Sequence, residues 1–411
     1  MTTTINEEDK STSNLKTITK KTEEVTTLLD EPIFHPHTLT ALVVLLALMF
    51  YAATRSNYEN TADNIKLGIV AAIACFVFIG MLQFPNGPFV RPSKPIWRAV
   101  LSLSVLYQLF LVFLLFLNKD DARYFMTFFD SKLGIELPER SYADACEVTW
   151  DNIKRSFVKN GMDIFVVAHT LGWFGKALIL RDYYFCWIIS IAFELCEYSL
   201  EHQLNNFAEC WWDHWILDVL ICNWLGIYIG MKFCQYFSVK QYSWVGFRQI
   251  KTLRGKAKRA VQQFIPREWT RYEWKTTSSP KIILFLQCEL NCFYLKYLLW
   301  VPPEHPLNTY RLILLFLFAL PGAREAYQYI SDSNTQRMGA HAWLLIFNIM
   351  TETLICLKFS ENEFHQPAPI VVKMGWSIAF AILFIIFPLW RFVIHPVKKI
   401  EGEQIISKKD V

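Results

Sequence analysis

Apolar residues run in long blocks broken by short polar stretches, near 38–53, 67–84, 99–117, 163–180, 184–200, 214–233, 282–300, 311–330, 340–358 and 375–394. Blocks of this length cross a hydrocarbon core of about 30 Å as helix, where the backbone must satisfy its own hydrogen bonds. The pattern predicts an all-α polytopic transmembrane bundle of about ten spans. Stretches such as Ala41 to Phe50 are plain lipid-facing sequence, and Pro321 with Gly322 is expected to break the eighth span. Residues 1–37 are polar, without apolar periodicity, and read as a disordered tail. The membrane domain is assigned to 38–395 and a short polar tail to 396–411. The first apolar block leads into further spans, so it does not read as a cleavable signal peptide.

Charge orients the bundle. Between residues 235 and 281 eleven Lys and Arg face only Glu268 and Glu273, which marks this segment as cytosolic. Ten spans then place both termini in the cytosol and the loops 301–310 and 359–374 in the lumen. The end of the chain, Lys408-Lys409-Asp410-Val411, is similar to a dilysine retrieval signal and fits an endoplasmic-reticulum membrane protein. A net charge of +4 gives no reason to expect nucleic acid.

Spans four to six depart from plain lipid-facing sequence. They hold His169, Lys176, Glu194, Glu197 and Asp218 at membrane depth, where one charge costs about 2.5–3.5 kcal/mol on insertion scales. Such helices belong inside the bundle, around water or ions. Glu194, Glu197 and Glu201 fall at i, i+3 and i+7 on one helical stripe. Glu209, Trp211, Trp212 and Asp213 follow a short turn holding Asn205 and Asn206, with Asp218 and Asn223 deeper in the next span. So many clustered carboxyls demand either protonation or a multivalent cation between them. Oxygen donors without a cysteine pair favour a hard cation, Ca²⁺ over Mg²⁺. The expected ligands are Glu194, Glu197, Asn206, Glu209, Asp213 and Asp218.

His169 shares its helix with Gly172, Trp173 and Lys176, with Arg181 just beyond, and is the candidate general base. Glu197 and Asp213 join it as candidate catalytic groups. Lys176, Arg181, Trp211, Trp212 and Asn223 are candidate substrate contacts. Plainer alternatives stand beside these: Trp211 and Trp212 as interfacial anchors, Arg181 as a cytosolic-end anchor, His169 as a packing histidine. The Glu stripe also suits a cation- or proton-coupled transporter.

Of ten cysteines, Cys75, Cys186, Cys196, Cys222, Cys288, Cys292 and Cys356 lie in apolar blocks and read as small hydrophobes. Cys146 and Cys210 fall in loops on the same side, which leaves a bridge between them open.

Residues 169–231 resemble the signature of eukaryotic phosphatidylserine synthases of the base-exchange type. The resemblance rests on His169-x-x-Gly172-Trp173-x-x-Lys176-Ala177-Leu178, Phe193-Glu194-x-x-Glu197, Asn206-Phe207-x-Glu209-Cys210-Trp211-Trp212-Asp213, Leu217-Asp218-x-x-x-Cys222-Asn223 and Gly226. Gly87-Pro88-Phe89, Arg91-Pro92 and Trp97-Arg98 are similar to a second family segment, and Arg91 and Arg98 are candidate regulatory residues there. Asn205 stands where the family usually has proline, and the family's histidine near Ser93 or Lys94 is missing. The resemblance implies a calcium-dependent exchange in which L-serine replaces the choline or ethanolamine of phosphatidylcholine or phosphatidylethanolamine, and a homodimeric assembly. A glycine-rich P-loop, the CDP-alcohol phosphotransferase pattern and paired HxK elements do not occur.

Overall fold

The computed structural model describes residues 36–55, 60–136, 164–239, 252–263, 271–274, 279–332, 335–364 and 366–382, with isolated positions at 146, 147, 149, 250, 385 and 389. Residues 1–35, the dilysine-like end and most of the basic stretch 240–270 lie outside the described residues.

All regular structure among the described residues is helical, and each predicted block overlaps a helix, the tenth only in its first part, most of its later residues lying outside the described ones. The chain runs through α1 (Pro36–Arg55), α2 (Thr61–Gln83), α3 (Lys94–Phe116), α4 (Lys119–Phe129), α5 (Ile164–Leu180) and α6 (Tyr183–Leu200). A 3₁₀ turn (Asn205–Phe207) leads to a π-helical stretch (Asp213–Asn223) that continues as α7 (Trp224–Val239). Then follow α8 (Leu253–Gln263), α9 (Ser279–Leu298), α10 (Pro306–Ser331), α11 (Ala340–Phe359) and α12 (Ile370–Ala381). Among the described residues, five are long and apolar enough to cross a membrane: α2, α3, the run Asp213–Phe237, α10 and α11. The short helices α4 and α8 have no counterpart among the predicted blocks.

The expected break in the eighth span does not occur, for α10 passes through Pro321 without interruption. Proline removes one backbone donor, and in a membrane-type bundle packed neighbours tolerate that loss. Here Pro321 and Gly322 are both buried, and a Cβ on Gly322 would stand 2.9 Å from Leu345 of α11. Glycine therefore lets α11 close against the proline turn.

Two groups of helices share the bundle. In one, α5 lies along α7, and Gly226 and Gly230 are why they approach so closely. A Cβ on Gly226 would collide with the Thr170 carbonyl and reach 2.8 Å from Trp173 Cβ; one on Gly230 would sit 2.6 Å from Ala177 Cβ. This is small-xxx-small packing between membrane helices. In the other, a polar network joins α3, α9, α10 and α11. Tyr107 donates to Glu352, Arg311 pairs with Glu352 at 2.6 Å, and Asn291 donates to the Ile349 carbonyl at 2.9 Å. Gln108 reaches Thr351 and Asn348 reaches Ser104. Buried polar groups require such partners.

The turn between α5 and α6 is fixed from outside. Asp182 caps α6 by accepting from the Tyr184 and Phe185 amides, while its other oxygen accepts from the Trp274 amide. The Trp274 indole donates to the Leu180 carbonyl at 2.7 Å. On the same face Arg98 closes the α2–α3 loop, donating to Asn86 and to the Leu82 carbonyl at the end of α2. At the other face α4 is tied to the loop after α11, where Lys119 and Arg123 both pair with Glu363.

Candidate active site

The deepest polar cluster lies between α5, α6 and the π-helical stretch. On α6, Ser190, Glu194 and Glu197 are three and four residues apart, so their side chains stack along one buried stripe. Facing them, the π stretch supplies His214, Asp218 and Asn223, all buried. π-helical segments are frequent at functional sites, where the widened turn re-aims side chains.

Ligand-type atoms of Glu194, Glu197 and His214 all lie within 4.8 Å of one another. His214 Nδ1 is 3.2 Å from Glu194 Oε2. The Asn223 amide donates to Ser190 Oγ at 2.9 Å and to the other Glu194 oxygen at 3.2 Å. Glu197 hydrogen-bonds Glu194 and has Glu209 and Asp218 as charged neighbours. Two carboxyls so close share a proton or a cation. His214 Nε2 and Asn223 Oδ1 are buried with no partner among the described residues. Unspent polar atoms around paired carboxylates are what a bound cation and a polar substrate would use. The oxygen donors of Glu194, Glu197, Asp218 and Glu209 suit a hard divalent ion, with His214 orienting Glu194 from behind.

A second pair borders this cluster. His169 Nδ1 of α5 stands 3.4 Å from Asp218 Oδ1, and the His169 ring retains about a third of its exposure. An Asp on one ring nitrogen leaves the other, Nε2, to exchange a proton with a substrate. Beyond Asp218, Glu194, Lys176 and His214 are the further charged groups around His169.

The remaining expected residues fall at graded distances from this centre. Glu209 and Asp213 lie on its rim beside His214. Burial pushes the Glu209 carboxyl up to about 7, with His214 drawing it back. Asn206 is half-buried in the 3₁₀ turn and makes no side-chain hydrogen bond among the described residues. Trp212 is buried with its indole nitrogen unpartnered among the described residues, whereas Trp211 is 54% exposed. Lys176 meets Glu289 of α9 and the Trp173 ring at 3.7 Å, so it enters the site as a paired cation. Arg181 sits on the α5–α6 turn over the Tyr272 ring, about 20 Å along α6 from Glu194 at 1.5 Å per residue. Arg91 gives its carbonyl to the Trp97 indole at 2.6 Å, and Arg98 is buried in the loop described above.

Sequence reasoning passed over two members of the site. His214 lies four residues before Asp218, a spacing that puts both on one helical face and was the available signal. Glu289 comes from a helix far along the chain, and no local pattern points to it. A disulfide joins Cys146 to Cys210, two residues before the rim residue Trp212.

These features define a helical integral-membrane protein with a carboxylate–histidine centre buried among its spans. A family model described as phosphatidyl serine synthase matches residues 92–360, and the chain belongs to that family. It is 42% identical to phosphatidylserine synthase 2 of Danio rerio over 383 residues, covering 88% of this chain and 82% of that protein. The human phosphatidylserine synthase 2 is also 42% identical, over 88% of this chain and 77% of its own length. A rice protein named CDP-diacylglycerol–serine O-phosphatidyltransferase 2 is 40% identical, over 88% of this chain and 90% of its own. The matched region spans α3 to α11 and contains the whole cluster.

Proposed function

We propose that this phosphatidyltransferase makes phosphatidylserine by base exchange, replacing the choline or ethanolamine of a membrane phospholipid with L-serine. The observation that carries the reading is the pairing of two buried centres: Glu194, Glu197 and His214 within 4.8 Å, and His169 against Asp218 at 3.4 Å. The first suits an ion facing a phosphate. The second suits a base facing a hydroxyl.

In the exchange, the serine hydroxyl oxygen forms a bond to phosphorus while the bond to the departing alcohol breaks. His169 Nε2 takes the serine proton and returns it to the leaving oxygen, with Asp218 holding the ring in the required tautomer. Ca²⁺ held by Glu194, Glu197, Glu209 and Asp218 would supply charge neutralisation at the phosphate. Asp213 and Asn206 complete the rim of this ligand set. His214 keeps Nδ1 on Glu194 and leaves Nε2 for a substrate oxygen. One phosphodiester replaces another, so the reaction needs no nucleotide.

Family membership selects phosphatidyl transfer over the transporter reading of the same carboxylates. A second donor is favoured by the rice relative's name, which specifies CDP-diacylglycerol; the missing CDP-alcohol phosphotransferase pattern argues against it for this chain.

The topology follows the same reading. We assign ten spans with cytosolic termini, of which five are helices long and apolar enough to cross a membrane among the described residues, and the basic segment 235–281 marks the cytosolic face. The Cys146–Cys210 bridge belongs to an oxidising compartment, which sets the rim of the site at the lumenal end, in calcium-rich surroundings. The endoplasmic-reticulum membrane satisfies both conditions, and a homodimer is the assembly we assign.

The deciding experiment supplies purified protein in lipid micelles with labelled serine and one donor at a time: phosphatidylcholine, phosphatidylethanolamine or CDP-diacylglycerol. Each is run with calcium and with chelator. Labelled phosphatidylserine from phosphatidylcholine or phosphatidylethanolamine, abolished by chelation, is the expected result. Product from CDP-diacylglycerol alone would transfer the assignment to the second donor.

A further inference from the structure

A half-open cavity of about 550 Å³ lies in the other half of the bundle, lined by α3, α4, α9, the first turns of α10 and the loops between them. None of its lining residues comes from α5, α6 or α7, so it is separate from the carboxylate–histidine centre. Its volume falls in the range of small-ligand sites. The inner walls are aliphatic, with Leu111 and Leu114 of α3, Leu295 and Leu299 of α9 and Leu314 of α10. The polar lining is mostly paired: His305 holds Asp130 at 3.2 Å and Arg311 is committed to Glu352.

Lys296 is different. It lies on α9, half-buried, and lines this cavity. Among the described residues its ammonium meets no carboxylate and donates no hydrogen bond. A lysine near a helix end normally snorkels outward along its own stem to reach water. This one instead lines a largely aliphatic chamber. An unpaired cation in a membrane helix is costly, and the cost disappears when an anion sits against it. Apolar walls with a cation at one side select an amphiphile: an acyl chain for the leucines and an anionic head for the ammonium.

The geometry points to a second, non-catalytic lipid site in this cavity, which takes an anionic amphiphile with its head on Lys296 and an acyl chain between α3 and α9. The head can come from an acidic phospholipid or from a free fatty acid. The two share a chain and an anionic group, and competition separates them. The inference stands apart from the exchange reaction, because binding is read without turnover.

The test uses full-length protein in phosphatidylcholine nanodiscs and a phosphatidic acid probe carrying a diazirine in its acyl chain. After photolysis, labelled positions are mapped by mass spectrometry. Labelling is expected to concentrate on Leu111, Leu114, Leu295 and Leu299, and to fall about tenfold in Lys296→Gln, the loss of one charge-assisted contact. Lys296→Arg restores it. Glu197→Gln, which disables the other site, leaves it unchanged. Competition by phosphatidylserine but not oleate assigns an acidic phospholipid, and the reverse assigns a fatty acid. Thermal unfolding of Lys296→Gln shows whether the variant is folded. Should it fail, Leu114→Trp fills the chamber without touching the charge and is expected to block labelling equally. Equal labelling by a phosphatidylcholine diazirine probe, or cavity labelling that both substitutions leave intact, overturns the proposal.

Discussion

His169 and His214 each spend one ring nitrogen on a carboxylate, at 3.4 Å and 3.2 Å respectively. The second nitrogen of each is thereby directed to a substrate, and the two histidines take different tasks. If His169 and Asp218 act as one unit, His169→Ala and Asp218→Asn should each lower kcat about 10²–10⁴-fold, the scale of general-base catalysis. The double variant should be little worse than either single one, and independent losses that multiply would separate Asp218 from the base. A second prediction ranks the carboxylates. Glu197 lies within the 4.8 Å set and Asp213 on its rim. Glu197→Gln should therefore abolish serine incorporation, while Asp213→Asn should raise the calcium needed for half-maximal rate and keep measurable turnover. Equal losses would place Asp213 among the innermost ligands. The acidic members of this site were legible from sequence, because carboxyls in apolar blocks stand out by their cost. His214 was not, since a histidine beside a Trp-Trp-Asp run reads as part of the interface until the π-helical turn places it against Glu194.

Close helix approach sets the geometry in which those side chains meet. Gly226 and Gly230 press α7 onto α5, the helix that carries His169. Gly226→Val should cost about 1–3 kcal/mol by overpacking and should depress both thermal stability and turnover. Gly172→Ala, where an added Cβ meets nothing within 4 Å, should leave both unchanged. Thermal unfolding and serine incorporation measured together check the pair. The tether of α4 is open to a pH test. Burial by itself would raise the Glu363 carboxyl, but hydrogen bonds and charge from Lys119 and Arg123 outweigh it and hold the group below its usual value. A carboxyl depressed on folding stabilises above its unfolded value, near 4.3, and that stabilisation is lost as the pH falls through the folded value. Hydrogen exchange across residues 119–129 should accelerate below about pH 4.3. Glu363→Gln should exchange fast already at neutral pH and lose the acid step. Helix placement was readable from apolar runs, whereas α4 was not, being short, amphipathic and held by a residue some 240 positions away. The break expected at Pro321 failed for a related reason: what keeps α10 continuous is α11 packed on Gly322, a contact between distant segments.

Across the whole molecule, the two faces of the bundle are fastened by different means. One carries the α5–α6 turn, strapped by Tyr272 and Trp274, and the Arg98 loop. The other carries the Glu363 tether and the Cys146–Cys210 bridge. The bridge closes a loop with a sequence separation of 64, worth about 4 kcal/mol on a chain-entropy scale. Chain already held by membrane spans has less freedom to lose, so that figure is an upper bound. Its greater effect should be local. Cys210 lies between Glu209 and the start of the π-helical stretch, and its amide neighbours set the entry angle of Asp213 and His214, whose backbone nitrogens both bond the Cys210 carbonyl. Freeing Cys210 loosens the rim while the deeper pair of Glu194 and Glu197 stays in place. Cys146→Ser should therefore raise the serine and calcium requirements several-fold with a smaller change in maximal rate, and thermal stability should fall modestly. Reductant should reproduce this in the wild type and add nothing in the variant. If Cys146→Ser and wild type respond alike to reductant, another thiol is responsible and the bridge does not hold the rim.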